Sequence, residues 1–209
     1  MIHWHNLARM YDTDNCQLYL PEQVKEVGSG FVFTAKPIIP VMADEEWATE
    51  ERIKKGVDPY YTVKSGRLFT DYLYRPPFEV RLFGEIPQET GIVPAFWAYS
   101  NPDIKIREVD FFEATKKCRK QIYVSLHDSW SPGHKMVFHG KKFGSLPQFD
   151  AVIGRVTDEE VYWRINSNEW WFETREFGGV DYCLNLTLAA TKNIKKIVRW
   201  QIDNVEIEI

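Results

Sequence analysis

The stretch Lys105-Ile106-Arg107-Glu108-Val109-Asp110-Phe111-Phe112-Glu113 alternates polar and apolar residues up to Phe111 and then breaks step. Strict alternation marks a strand with one covered face and one open face. In a regular strand Glu108, Asp110 and Phe112 share a face, and Glu113 points to the other. Three acids reach one face only with a β-bulge between Asp110 and Glu113, where an extra residue turns Glu113 back beside the other two. Such a row presses like charges together, and it offers the acid-plus-nucleophile pairing that glycosidic-bond hydrolysis uses. On the three acids alone, a solvated edge strand is the plainer reading.

Outward from this stretch the chain repeats the same short β-type runs, punctuated by Gly, Pro and Asn: Phe31 to Ala35, Phe78 to Phe83, Gln121 to His127, Ala151 to Val156, Glu160 to Ile165, Trp170 to Thr174, Tyr182 to Leu188 and Ile197 to Ile209. Many short strands at near-regular spacing predict an all-β fold, an antiparallel sandwich of two sheets or a barrel. One short surface helix is expected over 44–55. Asp44 stands as N-cap, Glu45 and Glu46 in the first turn, Lys54 and Lys55 in the last and Gly56 just beyond, with a thin apolar face of Trp47 and Ile53.

The 209 residues, 44% of them hydrophobic, suffice for one domain spanning 1–209. A formal net charge of −4, spread along the chain, shows no nucleic-acid footprint. Cys16, Cys118 and Cys183 make no disulfide framework and no metal-ligand spacing. The N-terminus lacks a secretory signal pattern and no stretch approaches the length of a membrane span, so a soluble protein is expected. Eight Trp, ten Tyr and thirteen Phe exceed what a core of this size needs, so part of this aromatic surface is expected to face a ligand.

The segments Ser65-Gly66-Arg67, Phe78-Glu79-Val80-Arg81, Gly91-Ile92-Val93-Pro94-Ala95-Phe96-Trp97-Ala98-Tyr99 and Glu108-Val109-Asp110-Phe111-Phe112-Glu113 resemble, in order and spacing, the central signature of the family 16 glycoside hydrolases. These are the laminarinases, lichenases, agarases and carrageenases. The resemblance continues through Asp158 to Asn166, Leu184-Asn185-Leu186 and Ile202-Asp203-Asn204-Val205, and covers most of the chain from about Cys16. It implies a concanavalin-like β-jelly roll with a glycan cleft, and a retaining endo-glycoside hydrolase acting on a β-linked glucan or galactan. Glu108 matches the nucleophile, Glu113 the general acid/base and Asp110 the residue between them. Retention needs the two carboxyls about 5–5.5 Å apart, which neighbouring positions on one strand face supply.

The resemblance also implies the substrate contacts. Trp97 and Tyr99 share a strand face expected to stack on sugar rings, with Trp170 or Trp171 and Tyr123 as lesser candidates. Glu79 and Arg81 match positions that bind sugar hydroxyls, while their residue types equally fit a cross-strand ion pair. His127 and Asn185 are candidates to reach the cleft, and Asn185-Leu186-Thr187 also scans as a glycosylation sequon. The chemistry requires no cofactor. Some relatives hold a structural calcium, for which Asp203 is the candidate here. The basic runs Lys116, Lys117, Arg119, Lys120 and Lys192, Lys195, Lys196, Arg199 read as solvated loops, or, where they flank the cleft, as the sign of a sulfated galactan. The expected partner is a polysaccharide met by a monomer outside the cell, with neither nucleic acid nor membrane. A non-catalytic, lectin-like glycan binder and a structural jelly roll are the alternatives on the same sandwich.

Overall fold

A computed structural model of the chain describes residues 3–6, 9–71, 73–87, 89, 91–100, 108–114, 122–127, 136–139, 149–166, 171–174, 179–191 and 194–209. In chain order the strands are β1 (His5–Asn6), β2 (Met10–Tyr11), β3 (Gln17–Tyr19), β4 (Val24–Val27), β5 (Gly30–Val41), β6 (Tyr61–Ser65), β7 (Arg67–Phe69), β8 (Phe78–Gly84), β9 (Ile92–Ser100), β10 (Glu108–Ala114), β11 (Ile122–His127), β12 (Met136–His139), β13 (Phe149–Val156), β14 (Glu160–Ile165), β15 (Trp171–Thr174), β16 (Tyr182–Ala190) and β17 (Val198–Glu208). Among the described residues one α-helix, α1 (Glu46–Lys54), lies between β5 and β6, and a 3-10 turn at Pro21–Gln23 leads into β4.

The strands form two sheets. The seven-stranded sheet runs β1-β7-β16-β9-β10-β11-β12, and the ten-stranded sheet runs β15-β14-β13-β8-β17-β5-β6-β3-β2, with β4 added beside β5. Pairing is antiparallel except between β3 and β6, which are parallel. This is the expected two-sheet sandwich, and alternation builds it: Phe78, Val80 and Leu82 of β8 point inward while Glu79, Arg81 and Phe83 point out. Inward residues of both sheets, among them Phe33, Phe96, Val109, Phe111, Phe112, Trp163 and Trp200, make one continuous core. No helix among the described residues is long and apolar enough to cross a membrane.

The helix departs from the sequence expectation. It starts one residue beyond Glu45, and Asp44 caps nothing; its carboxylate pairs with Arg9 instead. Trp47 and Ile53 are 56% and 60% exposed, so they are not the packed face. The buried face is Ala48, Thr49 and Arg52, lying over a small satellite core of Tyr11, Leu18, Ala48 and Tyr61. Arg52, fully buried, donates to the carbonyls of Asp58 and Asp12 at 2.7 Å each, to that of Asn15, and to that of Tyr60 at 3.5 Å. Its guanidinium lies 4.4 Å from the Tyr61 ring centroid.

One glycine is dictated by packing with consequences for the site. A Cβ on Gly154 of β13 would stand 2.0 Å from Cδ1 of Phe111, whose ring is locked in the core 5.3 Å from that of Phe96. Gly154→Ala is expected to destabilise the fold by about 1–3 kcal/mol, since a packed ring has nowhere to withdraw. Urea denaturation measures it. Gly154→Ala combined with Phe111→Leu should recover part of the loss, and strict additivity of the two changes would disprove the contact.

Candidate active site

Strand β10 lies between β9 and β11 in the seven-stranded sheet. Glu108 is opposite Tyr99 on one side and His127 on the other, and Asp110 is opposite Trp97 and Ser125. The register then slips: Phe112 meets Phe96, and Glu113 meets Ala95 and Tyr123. Three steps along β10, Asp110 to Glu113, span what two steps span on β11, which is the bulge the spacing calls for. Directly paired residues share a face. Glu108, Asp110 and Glu113 therefore stand on one face with Ala95, Trp97 and Tyr99, and the bulge sends both Phe111 and Phe112 into the core. Phe112 packs 5.9 Å from the Trp200 ring. At the bulge the indole N–H of Trp163, from the opposite sheet, donates to the Asp110 carbonyl at 3.1 Å.

The first two acids are buried, Glu108 at 8% and Asp110 at 6% exposure, whereas Glu113 is half-buried. His127 Nε2 lies 3.0 Å from Asp110 Oδ2 and 3.8 Å from Glu108 Oε1. His127 thus sets one ring nitrogen beside both carboxyl groups. The Ser125 hydroxyl donates to the same Asp110 oxygen. One donor atom from each of Glu108, Asp110 and His127 lies within 4.8 Å of the others, a spacing that suits a cation as well as an acid row. Asp203 belongs to no such group among the described residues; its carboxylate accepts from Gln201 Nε2 at 2.8 Å.

Beside the acids, β16 places Asn185 opposite Trp97 and Cys183 opposite Tyr99. Trp97 and Tyr99 are half-buried on the acid-bearing face, and Tyr123 joins them beside Glu113. Asn185 reaches this face but has no exposed surface. Its Oδ1 accepts from Arg67 Nη2 at 2.9 Å, and the Arg67 guanidinium lies 5.2 Å from the Trp97 ring centroid. Asn185 thus lies beneath Arg67 rather than at the open surface of this face, and its side-chain amide is buried in the folded chain. Cys183 is buried too; burial pushes its thiol up, and Sγ donates to the Thr70 carbonyl at 2.8 Å.

Glu79 and Arg81 do not join the acids. Both lie on the outer face of β8, in the other sheet, where they pair with each other at 2.7 Å and Arg81 also reaches Glu208 at 3.4 Å. Their ion pairs run along β8 between the two residues and across to Glu208 of β17. Trp171 opens β15 in the same ten-stranded sheet. Arg199 projects from β17 on that sheet's outer face and Lys196 pairs with Glu89 at 2.7 Å, so Arg199 does not flank the acid-bearing face. Trp170, Lys116, Lys117, Cys118, Arg119, Lys120 and Lys192 lie outside the described residues. Sequence reasoning passed over Arg67 and Ser125 as site residues. Ser125 carries a readable signal: it stands two residues from His127 and therefore on the same face.

No family model and no curated protein matches the sequence. Solved structures do match. The laminarinase catalytic domain from Thermotoga maritima MSB8 superposes with a TM-score of 0.71 at 17% identity, over 92% of this chain and 82% of that one. LamA from Zobellia galactanivorans, solved with laminaritriose and laminaritetraose, gives 0.73 at 11% identity, over 98% and 91%. SCLam, a non-specific endo-β-1,3(4)-glucanase from family GH16, gives 0.72 at 14% identity, over 98% and 83%. The chain therefore shares its β-sandwich fold with the family 16 laminarinases and endo-β-1,3-glucanases.

Proposed function

We propose that the chain is a retaining endo-glycoside hydrolase that cleaves a β-linked polysaccharide, a β-glucan or a galactan, by double displacement. The observation that carries this reading is the bulge, which sets Glu108, Asp110 and Glu113 on one face with Trp97 and Tyr99. Glu108 attacks the anomeric carbon and forms a glycosyl–enzyme ester while Glu113 gives its proton to the departing glycosidic oxygen. Glu113, now ionised, takes a proton from water, which attacks the same carbon and releases Glu108. The exposures suit this division: the nucleophile is recessed beside Asp110 and His127, and the group that exchanges protons with the leaving sugar and with water is more open. The structural neighbours include β-glucan hydrolases, one of them solved with laminari-oligosaccharides, and a galactose-4-sulfate galactohydrolase of equal similarity, so the polysaccharide panel carries both classes. A sulfated galactan loses the support of Arg199, which lies on the other sheet.

The test is a polysaccharide panel with product sizing and proton NMR of the first-formed product. Internal cleavage with retained anomeric configuration is expected, and Glu108→Ala should abolish turnover. Inverted product, or wild-type turnover by Glu108→Ala, would overturn the reading.

A further inference from the structure

We propose that Ser125 is a positioning residue for this reaction, holding Asp110 by one carboxylate oxygen so that the other is left for Glu108 and the substrate; the inference rests on the hydrolytic reading above. Ser125 sits directly opposite Asp110 in the β10–β11 ladder, 4% exposed against 6% for its partner. Its hydroxyl donates to Asp110 Oδ2, the oxygen that His127 Nε2 approaches at 3.0 Å. Among the described residues no donor reaches Oδ1.

The arrangement decides a torsion. The χ2 well of an aspartate is broad, so a carboxylate held by one donor turns about its Cβ–Cγ bond. Two donors converging on Oδ2 from positions i and i+2 of one strand fix the carboxylate plane, and Trp163 fixes the backbone beneath it. His127 is not a sufficient anchor alone, because Nε2 also faces Glu108 Oε1 at 3.8 Å. When the imidazole swings toward Glu108, Ser125 is the donor that stays. Removing it frees Asp110 to turn while leaving all three acids in place, so the loss falls on the chemical step.

The test is a double-variant cycle on laminarin, or on whichever panel polysaccharide the wild type cleaves, with thermal unfolding recorded for each protein. Ser125→Ala should lower kcat roughly tenfold with KM nearly unchanged, an effect of the size that small misplacements of a reacting group produce. Ser125→Thr, which keeps the hydroxyl, should recover most of that loss. In the Asp110→Asn background Ser125→Ala should change kcat less than about twofold, since the group it positions is already altered. A purely structural serine would lower Tm and multiply its loss onto that of Asp110→Asn. Undiminished kcat in Ser125→Ala, or multiplying losses, would overturn the positioning role while leaving the hydrolase reading intact. A wild type that cleaves no glycan in the panel would overturn both.

Discussion

Glu113→Gln is expected to lower polysaccharide turnover roughly 10²–10⁴-fold, the usual worth of a positioned general acid. The side chain is half-buried and faces Ala95 and Tyr123, so an isosteric amide fits without disturbing the strand. The loss should depend on the leaving group. An aryl glycoside whose phenolate departs without protonation needs no acid in the first step, so its initial burst of phenolate should survive in Glu113→Gln. The second step, in which the same residue acts as base toward water, should remain slow. Glu108→Gln removes the nucleophile and should lose the burst with both substrates. Rapid-mixing kinetics on a dinitrophenyl glycoside, beside reducing-end release from the polymer, measure the two steps. Equal losses on both substrates would remove Glu113 from the acid/base role.

Arg52→Ala carries the largest expected loss of stability, about 3 kcal/mol or more. It takes the donor from the carbonyls of Asp12 and Asn15, on half-buried residues, and from those of Asp58 and Tyr60, on exposed residues where water can replace part of the loss. It also empties the volume beside Tyr61. Arg52→Lys should recover little, because one ammonium cannot reach carbonyls spread around a planar fork. Urea denaturation gives the magnitude, and proteolysis under native conditions should open first near α1, the element this side chain pins. A variant within about 0.5 kcal/mol of wild type would show that water replaces the guanidinium at no cost.

The acid row was legible because a strand has a period of two, and the spacing of three charged residues leaves only the bulge as a way to one face. At Glu79 and Arg81 periodicity found the shared face, and only the resemblance tied that face to sugar. Alternation tells which residues of a strand face together, but it carries no information about which of two stacked sheets the strand enters. Strand β8 follows β7 closely in the chain yet crosses to the other sheet. The helix was found from its charged ends, while its buried face was misassigned to Trp47 and Ile53. A face built on a guanidinium donating to loop carbonyls has no hydrophobic periodicity to read. That Arg67 covers Asn185 depends on pairing between β7 and β16, residues more than a hundred positions apart.

The bulge separates how many residues the strand holds from which ones it shows. Without Phe111, the run Glu108-Val109-Asp110-Phe112-Glu113 would alternate regularly and present the same three carboxylates. The inserted ring changes only what the opposite sheet must accommodate, and the accommodation is Gly154. An ancestral or engineered chain can therefore gain or lose this phenylalanine without disturbing its acids, provided the residue facing it across the core grows as the strand shortens. Removing Phe111 together with Gly154→Val is such an exchange, one deletion and one substitution on different sheets, in which valine takes the space over Gly154 and the ring's contact with Phe96 is given up.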